Sequence, residues 1–199
     1  MYTDCFSSLK DYGIAAAITR EDTVATLLDQ IRPKHRRRLM DLVEQAGFDI
    51  SDWANYAKGD TAPAANPRYC YEWSLINPGR AVVLNLWLDN MREEDGRIIH
   101  EANYRADAEE HQRNRSKPQW VARGFALDRA LQAALTENLP VRVIVTDGQR
   151  RELETVEATA SIVQVRNLDS ETWTIASYDW ITGNCRLVRS RHAAGIPAN

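Results

Sequence analysis

The sequence predicts an α+β fold: N-terminal helices, then a curved, mostly antiparallel sheet or partly open barrel with one long packed helix. Three observations lead there. The apolar period changes from helical to two near residue 68. Turn signals then recur at short intervals, at Asn77-Pro78-Gly79-Arg80, Asp95-Gly96, Asp147-Gly148 and Asp169-Ser170. After residue 68 only one clear long helical pattern remains, over 121–137. Hairpins therefore outnumber strand–helix–strand units, which favours antiparallel pairing. A helical segment over 1–57 and an α+β sheet domain over 58–199 are expected to fold as one unit.

Residues 1–20 carry no clear period. Over 21–31 Val24, Leu27, Leu28 and Ile31 share one helical face, with Thr19 as a cap and Asp22 three residues on. A second helix is expected over 33–46, with Leu39, Leu42, Val43 and Ala46 on one face and Gly47 just past its end. Ser51-Asp52-Trp53 suggests a further helical turn, and 58–67 is a Gly-, Ala- and Pro-containing loop. Strands follow over 68–76, 81–90 and 97–104. The charged stretch 105–118 fits helix or coil. The long helix places Phe125, Leu127, Leu131, Ala134 and Leu135 largely on one face. A strand over 140–145 comes next, then a loop or short helix over 150–160. Three short strands over 161–168, 172–178 and 185–189 end the pattern.

The 199 residues are 44% hydrophobic, enough for a sizeable core, and 27% charged with a net charge of −3. That balance excludes a broad basic surface, so any nucleic-acid contact has to come from a local patch. No apolar run reaches the roughly 18 residues of a membrane span, and the N-terminus lacks a signal-peptide pattern. A cytoplasmic protein is expected. Cys5, Cys70 and Cys185 are odd in number and far apart, which argues for reduced thiols.

Catalytic signatures are missing: there is no GxGxxG, GxxxxGK[ST], GxSxG or HExxH. His35, His100, His111 and His192 are scattered, and His100 and Glu101 would point to opposite faces of a strand, so no metal and no cofactor is implied.

Three features carry chemistry. Arg32 and the run Lys34-His35-Arg36-Arg37-Arg38 sit at the expected start of the second helix, where positive charge opposes the helix dipole. A cluster set against that preference suits phosphate contact; the plainer reading is a solvated basic face offset by Asp41 and Glu44. The second feature is the hairpin through Pro78-Gly79. With a two-residue loop, facing positions sum to 157. Leu75 then meets Val82, Trp73 meets Leu84 and Tyr71 meets Leu86 on a core face, while Glu72 meets Asn85 and Cys70 meets Trp87 on the other. A carboxylate, an amide and an indole together have the chemistry of a base pocket, or of a half-exposed second sheet face. A one-residue slip would scramble the set. Arg186, Arg189, Arg191 and His192, with Arg113, Arg115 and Lys117, flank a nucleic-acid groove or serve as solubilising charge.

The wording Leu39-Met40-Asp41-Leu42-Val43, Ala46-Gly47, Asp49-Ile50-Ser51-Asp52-Trp53-Ala54-Asn55, then Tyr69-Cys70-Tyr71-Glu72-Trp73 and Val83-Leu84-Asn85-Leu86-Trp87, resembles the N-terminal module of McrA-like, modification-dependent HNH restriction endonucleases. The similarity covers about residues 38–190. The CxxC and HNH signatures of the nuclease domain are missing, so the resemblance implies only the specificity part: a double-stranded-DNA-binding module reading a modified base in a restriction or phage-defence system, with a separate nuclease chain as a conceivable partner. On that expectation Glu72, Asn85 and Trp87 bind the base, and Arg36, Arg37, Arg38, Arg186 and Arg189 contact phosphates. The rival readings are a protein-interaction subunit or inhibitor, and a metal-dependent nuclease built from dispersed carboxylates.

Overall fold

A computed structural model describes residues 26–54, 66, 70–150 and 161–190. Two short helices, α1 (Leu27–Ile31) and α2 (Leu39–Gln45), lead through a 3-10 turn at Ser51–Ala54 into β1 (Ser74–Asn77) and β2 (Ala81–Trp87). A second 3-10 turn at Leu88–Asn90 precedes β3 (Met91–Glu94) and β4 (Arg97–Ala102). Helices α3 (Tyr104–Arg113) and α4 (Pro118–Thr136) follow, and then β5 (Val141–Gln149), β6 (Ile162–Tyr178) and β7 (Cys185–Arg189). The seven strands form one sheet in the order β1-β2-β5-β6-β7-β4-β3. Only β2 and β5 run parallel. The sheet is open, ending on β1 and β3. The fold is α+β with a mostly antiparallel sheet and one long helix, as the residue pattern predicts.

The sheet buries both faces at its centre. Val82, Leu84 and Leu86 of β2 and Val141, Val143 and Val145 of β5 meet Leu127, Ala130, Leu131 and Ala134 of α4. Val83, Ile144 and Leu168 on the opposite face meet Leu39, Leu42, Val43 and Ala46 of α2, with Trp53. Burial on both sides is why β2 begins as an unbroken apolar run rather than an alternating one. Each fully buried aliphatic side chain contributes roughly 1.5–3 kcal/mol.

Several elements depart from expectation. The proposed cap at Thr19 and Asp22 lies outside the described residues; in the described part Thr26 caps α1 through a capping box with Asp29. Helix α2 starts at Leu39 rather than near Pro33. The preceding basic run is not helical, and its His35 carbonyl accepts from the Arg166 backbone N–H of β6 at 3.1 Å. Arg38 is the N-cap, and its guanidinium grips Asp41 in the first turn at 2.7 and 2.9 Å. The acid satisfies the helix dipole and the basic run stays outside the helix. The predicted end holds: Gly47 (φ 89°) closes a Schellman turn, its N–H on the Glu44 carbonyl and the Phe48 N–H on that of Val43.

The return strand expected over 81–90 stops at Trp87, and β3 is an unpredicted strand joined to β4 through Asp95-Gly96, both at positive φ. The undecided stretch after residue 104 is helix α3, capped by the Asn103 side chain on the Ala106 N–H at 2.9 Å. Asp147-Gly148 and Asp169-Ser170 are bulges inside long strands, not turns. At the second, residues 169–171 face Val143 alone. Asp169 folds inward there and accepts from Trp173 Nε1 (2.9 Å) and from Arg189 Nε and Nη2 (2.7 and 2.8 Å), so β6 continues through the irregularity.

Candidate nucleic-acid interface

The hairpin carrying the sequence-predicted pocket is out of the expected register by one residue. Asn77 and Arg80 close the predicted turn (Arg80 N–H to Asn77 carbonyl, 3.0 Å; Gly79 φ 67°), but the ladder resumes with Asn77 opposite Ala81. The loop therefore holds three residues, and facing positions sum to 158. Ser74 lies opposite Leu84, Leu75 opposite Val83, and the Trp73 carbonyl accepts from the Asn85 N–H at 2.8 Å. The expected pairings of Glu72 with Asn85 and of Cys70 with Trp87 are corrected accordingly.

The three base-binding candidates have different surroundings. The Glu72 carboxylate approaches Arg123 Nε of α4 at 3.7 Å. Burial raises its pKa, and the Arg123 charge offsets part of that rise. Asn85 spends its side chain inside the fold: its amide donates to the Glu72 carbonyl (3.2 Å) and its oxygen accepts from the Thr146 hydroxyl (3.2 Å). It thereby ties the approach to β1 onto β5. Trp87 is half-buried, pairs across the ladder with Thr146, and joins neither apolar cluster among the described residues.

The five phosphate candidates divide as well. Arg38 is held by Asp41, Arg189 by Asp169, and Arg186 by both Glu94 and Glu101. Arg32 pairs with Asp29 and Asp147. Lys34 and Arg36 are exposed, and Arg37 reaches only the neutral Asn167 amide oxygen at 3.5 Å. Of the basic run, these three cations carry no acidic partner among the described residues.

One continuous row brings the two halves of the prediction together. Trp87 of β2 pairs with Thr146 of β5, Thr146 pairs with Arg166 of β6, and the Arg166 N–H binds the His35 carbonyl in the basic run. Cross-ladder partners point to the same face, so Trp87, Thr146 and Arg166 share the α2 side of the sheet. Three backbone steps of about 4.8 Å place the Trp87 main chain roughly 14 Å from the basic segment. Burial depresses the Arg166 pKa, with the Arg36 charge adding to the effect, and its Nε has no hydrogen-bond partner. Sequence reasoning passed over Arg166 and Thr146. The signal was an arginine at the inward parity of a strand, two residues before the buried Leu168.

Two other polar clusters are internally satisfied or enclosed. Asp128, on α4, receives Arg105 Nε (3.1 Å), Gln132 Nε2 (2.9 Å) and the Tyr178 hydroxyl (2.7 Å), while Arg105 Nη1 also binds the Trp180 and Ile181 carbonyls. This network clamps the β6–β7 loop to α3 and α4. Buried His100 hydrogen-bonds Tyr104 at 2.5 Å, and burial lowers its pKa to about 4. Cys70 and Cys185 form no disulfide among the described residues, and burial pushes the Cys185 thiol up to about 12; Cys5, Arg191 and His192 lie outside the described residues. Among the described residues no group of three His, Cys, Asp or Glu side chains is placed to hold a metal ion, and no helix is long and apolar enough to cross a membrane. No family model matches the chain, and no curated protein or solved structure is similar to it.

Proposed function

We propose that this chain is a DNA-binding specificity module that reads a modified base, in a restriction or phage-defence system. The observation that carries the reading is the row Trp87–Thr146–Arg166–His35, which links the strand bearing a half-buried indole to a basic segment whose Lys34, Arg36 and Arg37 have no acidic partner among the described residues. Lys34, Arg36 and Arg37 contact phosphates, Trp87 stacks on the base, and Arg166 lies between them. Glu72 and Asn85 support the platform: Asn85 locks β2 to β5, and Glu72 retains a carboxylate whose nearest cation stands beyond hydrogen-bond distance. Arg38, Arg186 and Arg189 are neutralised by their own acids and contribute little to phosphate binding.

Binding to unmodified, methylated, hydroxymethylated and glucosylated duplexes, compared by gel shift with a Trp87→Ala control, tests this. Stacking is worth about 1–3 kcal/mol per base, so Trp87→Ala should weaken the preferred duplex roughly 5- to 150-fold and level the preference. Equal, weak binding of all four duplexes by the wild-type chain would dismiss the modified-base reading. A second reading, a protein-interaction subunit, draws on Trp180 and Ile181, 53% and 90% exposed on the clamped β6–β7 loop. It requires binding that tolerates salt.

A further inference from the structure

A groove of about 350 Å³ runs beside β1, the open edge of the sheet. Residues 74–77 all line it, odd and even positions alike. Successive side chains of a strand point to opposite faces, so a groove that touches both parities follows the strand's edge. Its far wall is apolar, formed by Val43, Phe48 and Ile50.

Among the described residues the backbone facing this groove is unpaired. Asn85 donates to the Trp73 carbonyl, which makes 73 and 85 a hydrogen-bonded pair of the antiparallel ladder. Hydrogen-bonded pairs alternate, so Leu75–Val83 and Asn77–Ala81 are the next two. The N–H and C=O of Ser74 and Ile76 therefore point away from β2, into the groove. An exposed edge of this kind is a template for another strand unless it is protected. Among the described residues no proline, inward charge or covering helix protects this one over 74–77, and Ile76 is 41% exposed.

The groove also has a sign. Asp49 and Glu72 line it, and no lysine, arginine or histidine does; Arg123 of α4 stands 3.7 Å from the Glu72 carboxylate, so Asp49 carries most of the negative charge. Asp49 is ionised and exposed, held low in pKa by the Ser51 N–H. Glu72, Ser74 and Ile76 have one parity, on the α4 side of the sheet, whereas Leu75 has the other and packs toward α2.

From these observations we infer that the β1 edge is a docking site for an extended peptide segment of a partner chain, which adds as an eighth strand. The segment alternates apolar with basic residues. Its apolar side chain, opposite Leu75, rests on Val43, Phe48 and Ile50, and its lysine or arginine meets Glu72 or Asp49. Backbone bonds to Ser74 and Ile76 supply affinity, and the wall and the two acids supply selectivity. The site is separate from the Trp87 row and does not depend on the nucleic-acid reading.

The test uses the full chain and three fluorescein-labelled probes, read by anisotropy. The first is the heptapeptide Lys-Val-Lys-Val-Lys-Val-Lys. The second has the same composition in blocks, Val-Val-Val-Lys-Lys-Lys-Lys. The third replaces every lysine of the first by glutamate. The alternating basic peptide should bind at least tenfold more tightly than either control. Ile76→Pro should weaken it at least tenfold while the melting temperature holds, because proline is tolerated where an edge N–H faces outward but removes that donor. Should that variant melt early, the double variant Asp49→Asn/Glu72→Gln serves, and should erase the preference for lysine over glutamate. Equal binding of the block peptide, or a folded Ile76→Pro chain that binds as tightly as wild type, would overturn the proposal. So would a concentration-dependent dimer that Ile76→Pro dissolves, which would assign the edge to a second copy of the chain.

Discussion

Replacing Arg36 and Arg37 together by glutamine should change how DNA binding responds to salt, not only how tight it is. Lys34, Arg36 and Arg37 are the cations of the basic run without an acidic partner among the described residues, whereas Arg32 and Arg38 are taken by Asp29, Asp147 and Asp41. Each phosphate neutralised adds about 0.9 to the log–log salt slope, so three contacts give a slope near ~2.7 and about a 40-fold loss of affinity between roughly 50 and 200 mM salt. The double variant retains Lys34 alone, and its slope should drop to about 0.9, a loss of only about 3- to 4-fold over the same range. Arg186→Gln should leave the slope unchanged, because Glu94 and Glu101 already neutralise that guanidinium. The assay is fluorescence anisotropy of a labelled duplex at five or more salt concentrations. An unaltered slope in the double variant, or a flattened one in Arg186→Gln, would refute the assignment of charges.

The other expectations concern stability. Asp169 is 4% exposed and holds Arg189 and Trp173 Nε1, so Asp169→Asn strands a largely buried guanidinium. Breaking a buried pair costs about 3–5 kcal/mol, equivalent to roughly 6–20 °C for a chain of this size; a loss under about 1 kcal/mol in urea unfolding would contradict the buried pair. His100 titrates near 4 in the fold against an ordinary 6.5. The unfolded chain takes up that proton first, so this group's contribution to stability is lost as pH falls from 6.5 to about 4, by about 3 kcal/mol. The difference in unfolding free energy between wild type and His100→Gln, measured across that window, should show the slope; a pH-independent difference would contradict it. A Cβ on Gly148 (φ 150°) would sit 2.3 Å from the Ile162 carbonyl oxygen, so Gly148→Ala should cost at least about 2 kcal/mol, and a neutral result would mean that the bulge is misplaced.

Periodic apolar patterns made most of the fold legible. The face of α2, its glycine stop, the long helix and the strands around Val83, Val143 and Leu187 all follow from spacing, because each buries its apolar side against another element. What escaped was decided by tertiary pairing. The basic run reads as a helix start, yet it lies outside the helix with its His35 carbonyl bonded to the Arg166 N–H of β6. Asp169-Ser170 reads as a turn by local preference, yet an inward ion pair to Arg189 carries β6 through it. The hairpin shows the sharpest sensitivity. Asn77, Pro78, Gly79 and Arg80 form the expected turn, and one further residue before the ladder resumes sets the Glu72 carbonyl, rather than its carboxylate, against the Asn85 amide. The candidate site was half legible for the same reason: Trp87 and the basic run stand out in the sequence, whereas Arg166 and Thr146, which link them, acquire meaning only when β5 and β6 lie side by side.

The account rests on one surface joining an indole to free positive charge. The most direct measurement is an amide and indole N–H nuclear magnetic resonance titration of the full chain with a short duplex. Shifts should concentrate at the Trp87 indole, at Thr146 and Arg166, and along residues 34–37. Shifts confined to the β6–β7 loop or to β7, with the Trp87 row silent, would contradict it.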